Sequence, residues 1–149
     1  MAVYCFDRDY TVDTSPSPPR MGECVPLEWV RALAHDAGHT VVATGNQHLC
    51  VEADIPGDDM LRSRYSALPT AARQEIPSPP GNDEPPTRRY RLRLVERLFD
   101  DGEFVVVDDA DLGDVEDGVW THYYPWEFVD AVRDGRIHVP GVTSPTGTT

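Results

Sequence analysis

The sequence predicts an α/β fold, a three-layer sandwich around a mostly parallel sheet. Short apolar runs of strand length alternate with segments of helical periodicity. The first of those runs, Ala2 to Phe6, is apolar at every position, the pattern of a strand covered on both faces. The first two are separated by a single helical segment, so they form a βαβ unit and run parallel.

The first strand spans Ala2 to Phe6 and stops at Asp7-Arg8-Asp9. A loop rich in Pro and Ser follows. Pro26 then suits the first turn of a helix, because its φ is already fixed. Leu27, Val30, Ala34 and Ala37 fall at helical spacing with Leu33 beside them, and Gly38 suits a left-handed terminator. Thr40 to Thr44 is the second strand, ending in Gly45-Asn46. Residues 47–87 read as an irregular insert or a small helical region, with Gln47 to Ala53 and Asp59 to Leu68 as its short helices. Its last part, Ile76 to Pro86, is too rich in proline for either element and is expected to be an exposed loop. Helical periodicity returns at Arg88 to Phe99, where Leu94 pairs with Leu98 and Val95 with Phe99 at i,i+4. Glu103 to Val107 is the third strand and stops at Asp108-Asp109. Val119 to Tyr123 is the fourth. Pro125 opens a final helix with Phe128, Val129 and Val132 on its apolar face, and Gly135 ends it. One domain, residues 1–138, is expected, with 139–149 as a flexible tail.

Composition narrows the class. Nothing in the 149 residues approaches the length of a membrane span, and the N-terminus lacks the pattern of a signal peptide. The expectation is a soluble cytoplasmic protein without a membrane partner. Cys5, Cys24 and Cys50 form no CxxC pair and read as small core thiols. Acidic residues number 26 against 13 basic ones, every basic residue is Arg, and the net charge is -13. That charge disfavours a nucleic-acid backbone as partner. It resembles the acidic, Lys-poor composition of proteins from halophilic archaea. The plainer alternative is an ordinary acidic protein from a GC-rich genome.

In such sheets ligands bind off the carboxyl ends of the strands, at the switch in strand order. Three strands end there in polar chemistry: Asp7 and Asp9, then Thr44, then Asp108 and Asp109. Converging carboxylates raise one another's pKa values unless a cation intervenes. Oxygen-only ligands suit Mg²⁺, which commonly also takes a substrate phosphate oxygen.

These residues resemble the haloacid dehalogenase (HAD) superfamily of phosphatases, whose fold is a Rossmann-like sandwich. FDRDYTV matches its first motif, VVATGN its second and FVVVDD its fourth. The resemblance implies a Mg²⁺-dependent phosphatase with a phospho-aspartyl intermediate. Asp7 is then the nucleophile and Asp9 the acid/base. Thr44 and Gly45 bind phosphate, and Asp7, Asp9, Asp108 and Asp109 serve the metal, Asp9 through its carbonyl. The family's third motif is normally a Lys. This chain has none, so an Arg must stand in, with Arg88 or Arg89 nearest the strand ends and Arg91 and Arg93 further along the helix. There is also no room for a large cap domain. The absent Lys leaves open a HAD-fold metal- or phosphate-binding regulatory protein without turnover. Tyr123, Tyr124 and Trp126, beside His122, form an aromatic patch read as core packing or as a surface for a protein partner. A phospho-acceptor signalling domain fits poorly. Such domains carry an acidic pair on the first strand and their acceptor aspartate at the end of an internal one, whereas here the spaced pair is on the first strand and the adjacent pair comes late.

Overall fold

The computed structural model describes residues 2–14, 22–76, 87–99, 102–112 and 118–142. The strands β1 (Ala2–Phe6), β2 (Thr40–Ala43), β3 (Glu103–Val107) and β4 (Trp120–Tyr123) form one sheet of order β2-β1-β3-β4. Every pairing is parallel, so the sheet expected to be mostly parallel is wholly so. All five residues of β1 are buried, because alternate side chains enter different cores. Tyr4 and Phe6 join one core with Val105 and Val107, and Val3 and Cys5 join the other with Phe104 and Val106.

Helices close both faces and make three layers. One face is covered by α1 (Leu27–Arg31), α2 (His48–Ala53) and α6 (Pro125–Arg133). The other is covered by α3 (Asp58–Ala67) and α5 (Arg88–Leu98). A short α4 (Thr70–Gln74), not anticipated from sequence, buries none of its residues. Leu61 and Leu92 are about 1% exposed, and full burial of a side chain of that size contributes roughly 1.5–3 kcal/mol. The Cys5 thiol is likewise buried, which pushes its pKa up and leaves it protonated and inert.

Three expectations are corrected. The first helix continues beyond α1 as a π-wound segment, Ala32–Asp36, in which the Ala37 N–H donates to the Ala32 carbonyl at 2.9 Å. Trp29, Val30, Ala32 and Leu33 are buried, while Ala34 and Ala37, expected on the apolar face, are only half-buried. Val119 stands outside β4 and is 56% exposed. Val139, expected to begin a frayed tail, is buried in the first core with Val142 packed against it. The rest of that tail, 143–149, and the proline run 77–86 lie outside the described residues. Gly38 and Gly135 have φ of +74 and +80 and end their helices as anticipated. No helix among the described residues is long and apolar enough to cross a membrane.

Candidate functional site

The strand order puts the switch point between β1 and β3, since β2 lies on one side of β1 and β3 on the other. Ladder bonds run one residue past the strand ends: Thr44 N–H donates to Phe6 O, Asp7 N–H to Val107 O and Asp108 N–H to Tyr123 O, at 3.0, 3.0 and 3.1 Å. Thr44, Asp7 and Asp108 therefore stand level along one edge. Phe6, Ala43 and Val107 face the first core, so alternation turns the next residue of each strand towards α3 and α5.

Asp7, Asp108 and Asp109 converge, each offering a carboxylate oxygen within 4.8 Å of the others. Asp7 and Asp108 are almost wholly buried. Asp7 Oδ1 and Asp108 Oδ2 have no hydrogen-bond partner among the described residues, and neither has the Thr44 hydroxyl. Three buried oxygens left unbonded at one edge are costly in a folded protein unless something else meets them. Burial, and then the Asp108 carboxylate, push the Asp7 carboxyl up to about 8 against the pull of Arg88. Burial also raises Asp108, opposed by the Ala110 N–H and Arg88. An all-oxygen, buried and partly unbonded cluster fits a hard divalent cation.

Among the described residues, Arg88 is the cation that reaches the cluster. Its Nη2 lies 3.7 Å from Asp7 Oδ2 and its Nε 3.3 Å from Asp108 Oδ2. It opens α5, whose N-terminus adds the positive end of the helix dipole. Arg89 turns elsewhere, donating to the Asp111 carbonyl at 3.3 Å, and Arg93 is exposed. Asp9 stands outside the carboxylate cluster. Its side chain is 44% exposed, accepts from Arg8 at 3.0 Å and from Asn46 Nδ2 at 3.2 Å. Gly45 packs on Asp7 so closely that a Cβ there would fall on Asp7 Oδ1.

Sequence reasoning passed over Thr11. Thr11 and Val12 N–H groups both donate to Arg8 O, and Tyr10 between them and Asp9 is held at φ 60. Such left-handed geometry costs a non-glycine residue roughly 1–2 kcal/mol. The tight turn brings the Thr11 hydroxyl to Asp7 Oδ2 at 3.3 Å, where it also accepts the Asp109 N–H at 3.1 Å. One hydroxyl thus ties the two acidic strand ends together. The available signal was the Thr four residues after Asp7 in the first motif.

The aromatic patch is partly buried packing. Tyr124 stacks on Trp126 with centroids 4.9 Å apart, and Tyr123 meets Phe128 edge-on. His122 lies beneath the site, with Nε2 3.1 Å from the Asp108 carbonyl. No protein-family model, curated protein or solved structure matches the chain.

Proposed function

We propose that this protein is a Mg²⁺-dependent phosphohydrolase of HAD type, acting on a phosphate ester through a phospho-aspartyl intermediate. The observation carrying the reading is the set of buried, unbonded oxygens on Asp7, Asp108 and Thr44, with Arg88 beside them.

Asp7, Asp108 and Asp109 would hold the ion. Bound Mg²⁺ neutralises charge on the phosphoryl oxygens and keeps the neighbouring carboxylates ionised. Asp7 oxygen attacks phosphorus, the bond to the ester oxygen breaks, and Asp9 gives that oxygen its proton. Water then attacks the phosphoryl group, Asp9 takes the water's proton, and the Asp7–phosphorus bond breaks to release phosphate. The Thr44 hydroxyl and Arg88 meet the phosphoryl oxygens throughout, as preorganised donors should. Arg88 takes the place of the family's Lys. Its planar fork favours binding two oxygens, which also supports a second reading, a phosphate-binding protein without turnover.

Assay in high KCl with Mg²⁺ and p-nitrophenyl phosphate separates these readings. Wild-type protein should release phosphate and Asp7→Asn should fall to background. Identical background rates in both, with Mg²⁺ and phosphate still bound by wild type, would replace the enzyme with the binding protein.

A further inference from the structure

Arg91 lies one helical turn beyond Arg88, yet it is only 8% exposed, and its ion pair is with Asp58 rather than with the carboxylates of the site. Its Nε and Nη2 donate to Asp58 Oδ1 and Oδ2 at 2.7 and 2.8 Å, a bidentate pair at the start of α3. Its remaining arm, Nη1, donates to the Thr44 carbonyl at 3.0 Å. Gln47 completes the arrangement. Its Nε2 donates to the carbonyls of Ala43 and Gly45 at 3.0 and 2.9 Å, and its Oε1 accepts the Asp58 N–H at 2.7 Å.

Three successive carbonyls, those of Ala43, Thr44 and Gly45, are therefore each held by a side chain. In a trans peptide the carbonyl of one residue and the N–H of the next point in opposite directions. Drawing the Thr44 carbonyl to Arg91 turns the Gly45 N–H the other way, and that N–H makes no hydrogen bond among the described residues. The Thr44 hydroxyl is also unbonded. Both donors stand beside Asp7.

We infer that Arg91, Asp58 and Gln47 form a buried positioning network that holds the Thr44-Gly45 turn ready to accept a phosphoryl oxygen. The inference rests on the phosphate site proposed above. It also explains the placement of α3, whose first turn supplies the carboxylate that orients Arg91. None of the three residues touches the phosphoryl group. They act through Thr44.

Titration of inorganic phosphate with Mg²⁺ present, and of Mg²⁺ alone, tests the inference. Arg91→Lys keeps the charge but loses the three-armed geometry. It should weaken phosphate binding about tenfold, the scale of a lost charged hydrogen bond. Its Mg²⁺ affinity should stay within about twofold, since the metal ligands lie on other strands. Thr44→Val alone should also weaken phosphate binding, and adding Arg91→Lys should cost less than it does in wild type, since only the Gly45 N–H then remains to be misplaced. Asp58→Asn, a milder change, should reproduce the phosphate loss if Arg91→Lys does not fold. A folded Arg91→Lys or Asp58→Asn protein that binds phosphate like wild type overturns the inference, as do additive losses in the double variant. Wild-type protein that takes up Mg²⁺ but no phosphate overturns the parent reading instead.

Discussion

Asp7 is the most strongly perturbed carboxyl of the site, and its proton sets a pH dependence. Its pKa rises from the ordinary 3.8 to about 8 on folding, through burial first and the Asp108 carboxylate second. A group raised in this way favours the folded state while protonated. Its contribution is complete below the unfolded value and is lost as pH rises through the folded one. Without metal, the thermal midpoint should therefore fall between about pH 5 and pH 8, and saturating Mg²⁺ should flatten the slope by favouring the ionised form. Asp7→Asn should flatten it without metal. A second prediction concerns Gly45, where a Cβ would meet Asp7 Oδ1. Gly45→Ala should destabilise by roughly 1–3 kcal/mol, the scale of overpacking, and abolish phosphate binding; thermal melts and phosphate titration check the two effects. At this scale Asp7, Thr44, Asp108 and Asp109 were legible because each follows a run of apolar residues. Arg91 was not legible as a structural cation. Its partner Asp58 lies 33 residues away, and nothing in the local pattern of α5 separates a buried Arg from an exposed one.

Among the elements, α5 joins the scaffold to the chemistry. Leu92, Leu94 and Val95 anchor it to the second core, and Glu96 accepts from the Trp120 indole at 2.9 Å. Its first turn carries Arg88 to the carboxylates. That turn depends on Thr87, whose hydroxyl accepts the Tyr90 N–H at 3.2 Å as an N-cap. Thr87→Ala should cost about 1 kcal/mol in stability. Because Arg88 sits on the freed turn, phosphate affinity should fall even at temperatures where the variant remains folded, which titration below the melting range would show. The helix itself could be read from its i,i+4 pairs. The π-wound end of the first helix could not, since a π-helix leaves apolar spacing that resembles ordinary α periodicity until neighbours fix its winding. The end of α3 near Leu68 was anticipated, but α4 beyond Pro69 was hidden in a segment without strong apolar spacing.

Over the whole molecule, a parallel sheet was implied by the strand–helix alternation, while its strand order and wholly parallel register are properties of the assembled strands. Net charge acts at this scale too. With a net charge of -13 and no Lys, self-repulsion opposes the compact state in dilute buffer and salt screens it. The thermal midpoint should rise as KCl goes from about 0.1 M to above about 1 M, where the screening length shrinks to about 3 Å. A midpoint independent of KCl would show that the carboxylates are already compensated locally, as Glu23 is by Arg133 and Glu52 by Arg8.

β1 is central in the sheet but precedes both its neighbours in sequence, which begin at Thr40 and Glu103. During synthesis, a chain emerging N-terminal end first can pair β1 with β2 early, yet one edge of β1 stays open until β3 has been made. That edge, the segment Ala2 to Phe6, is wholly apolar and offers unpaired backbone groups to any other strand. Asp108 arrives in the same late stretch that closes it. An unfinished chain is thus exposed to mispairing and lacks its site, and the same strand, β3, ends both conditions.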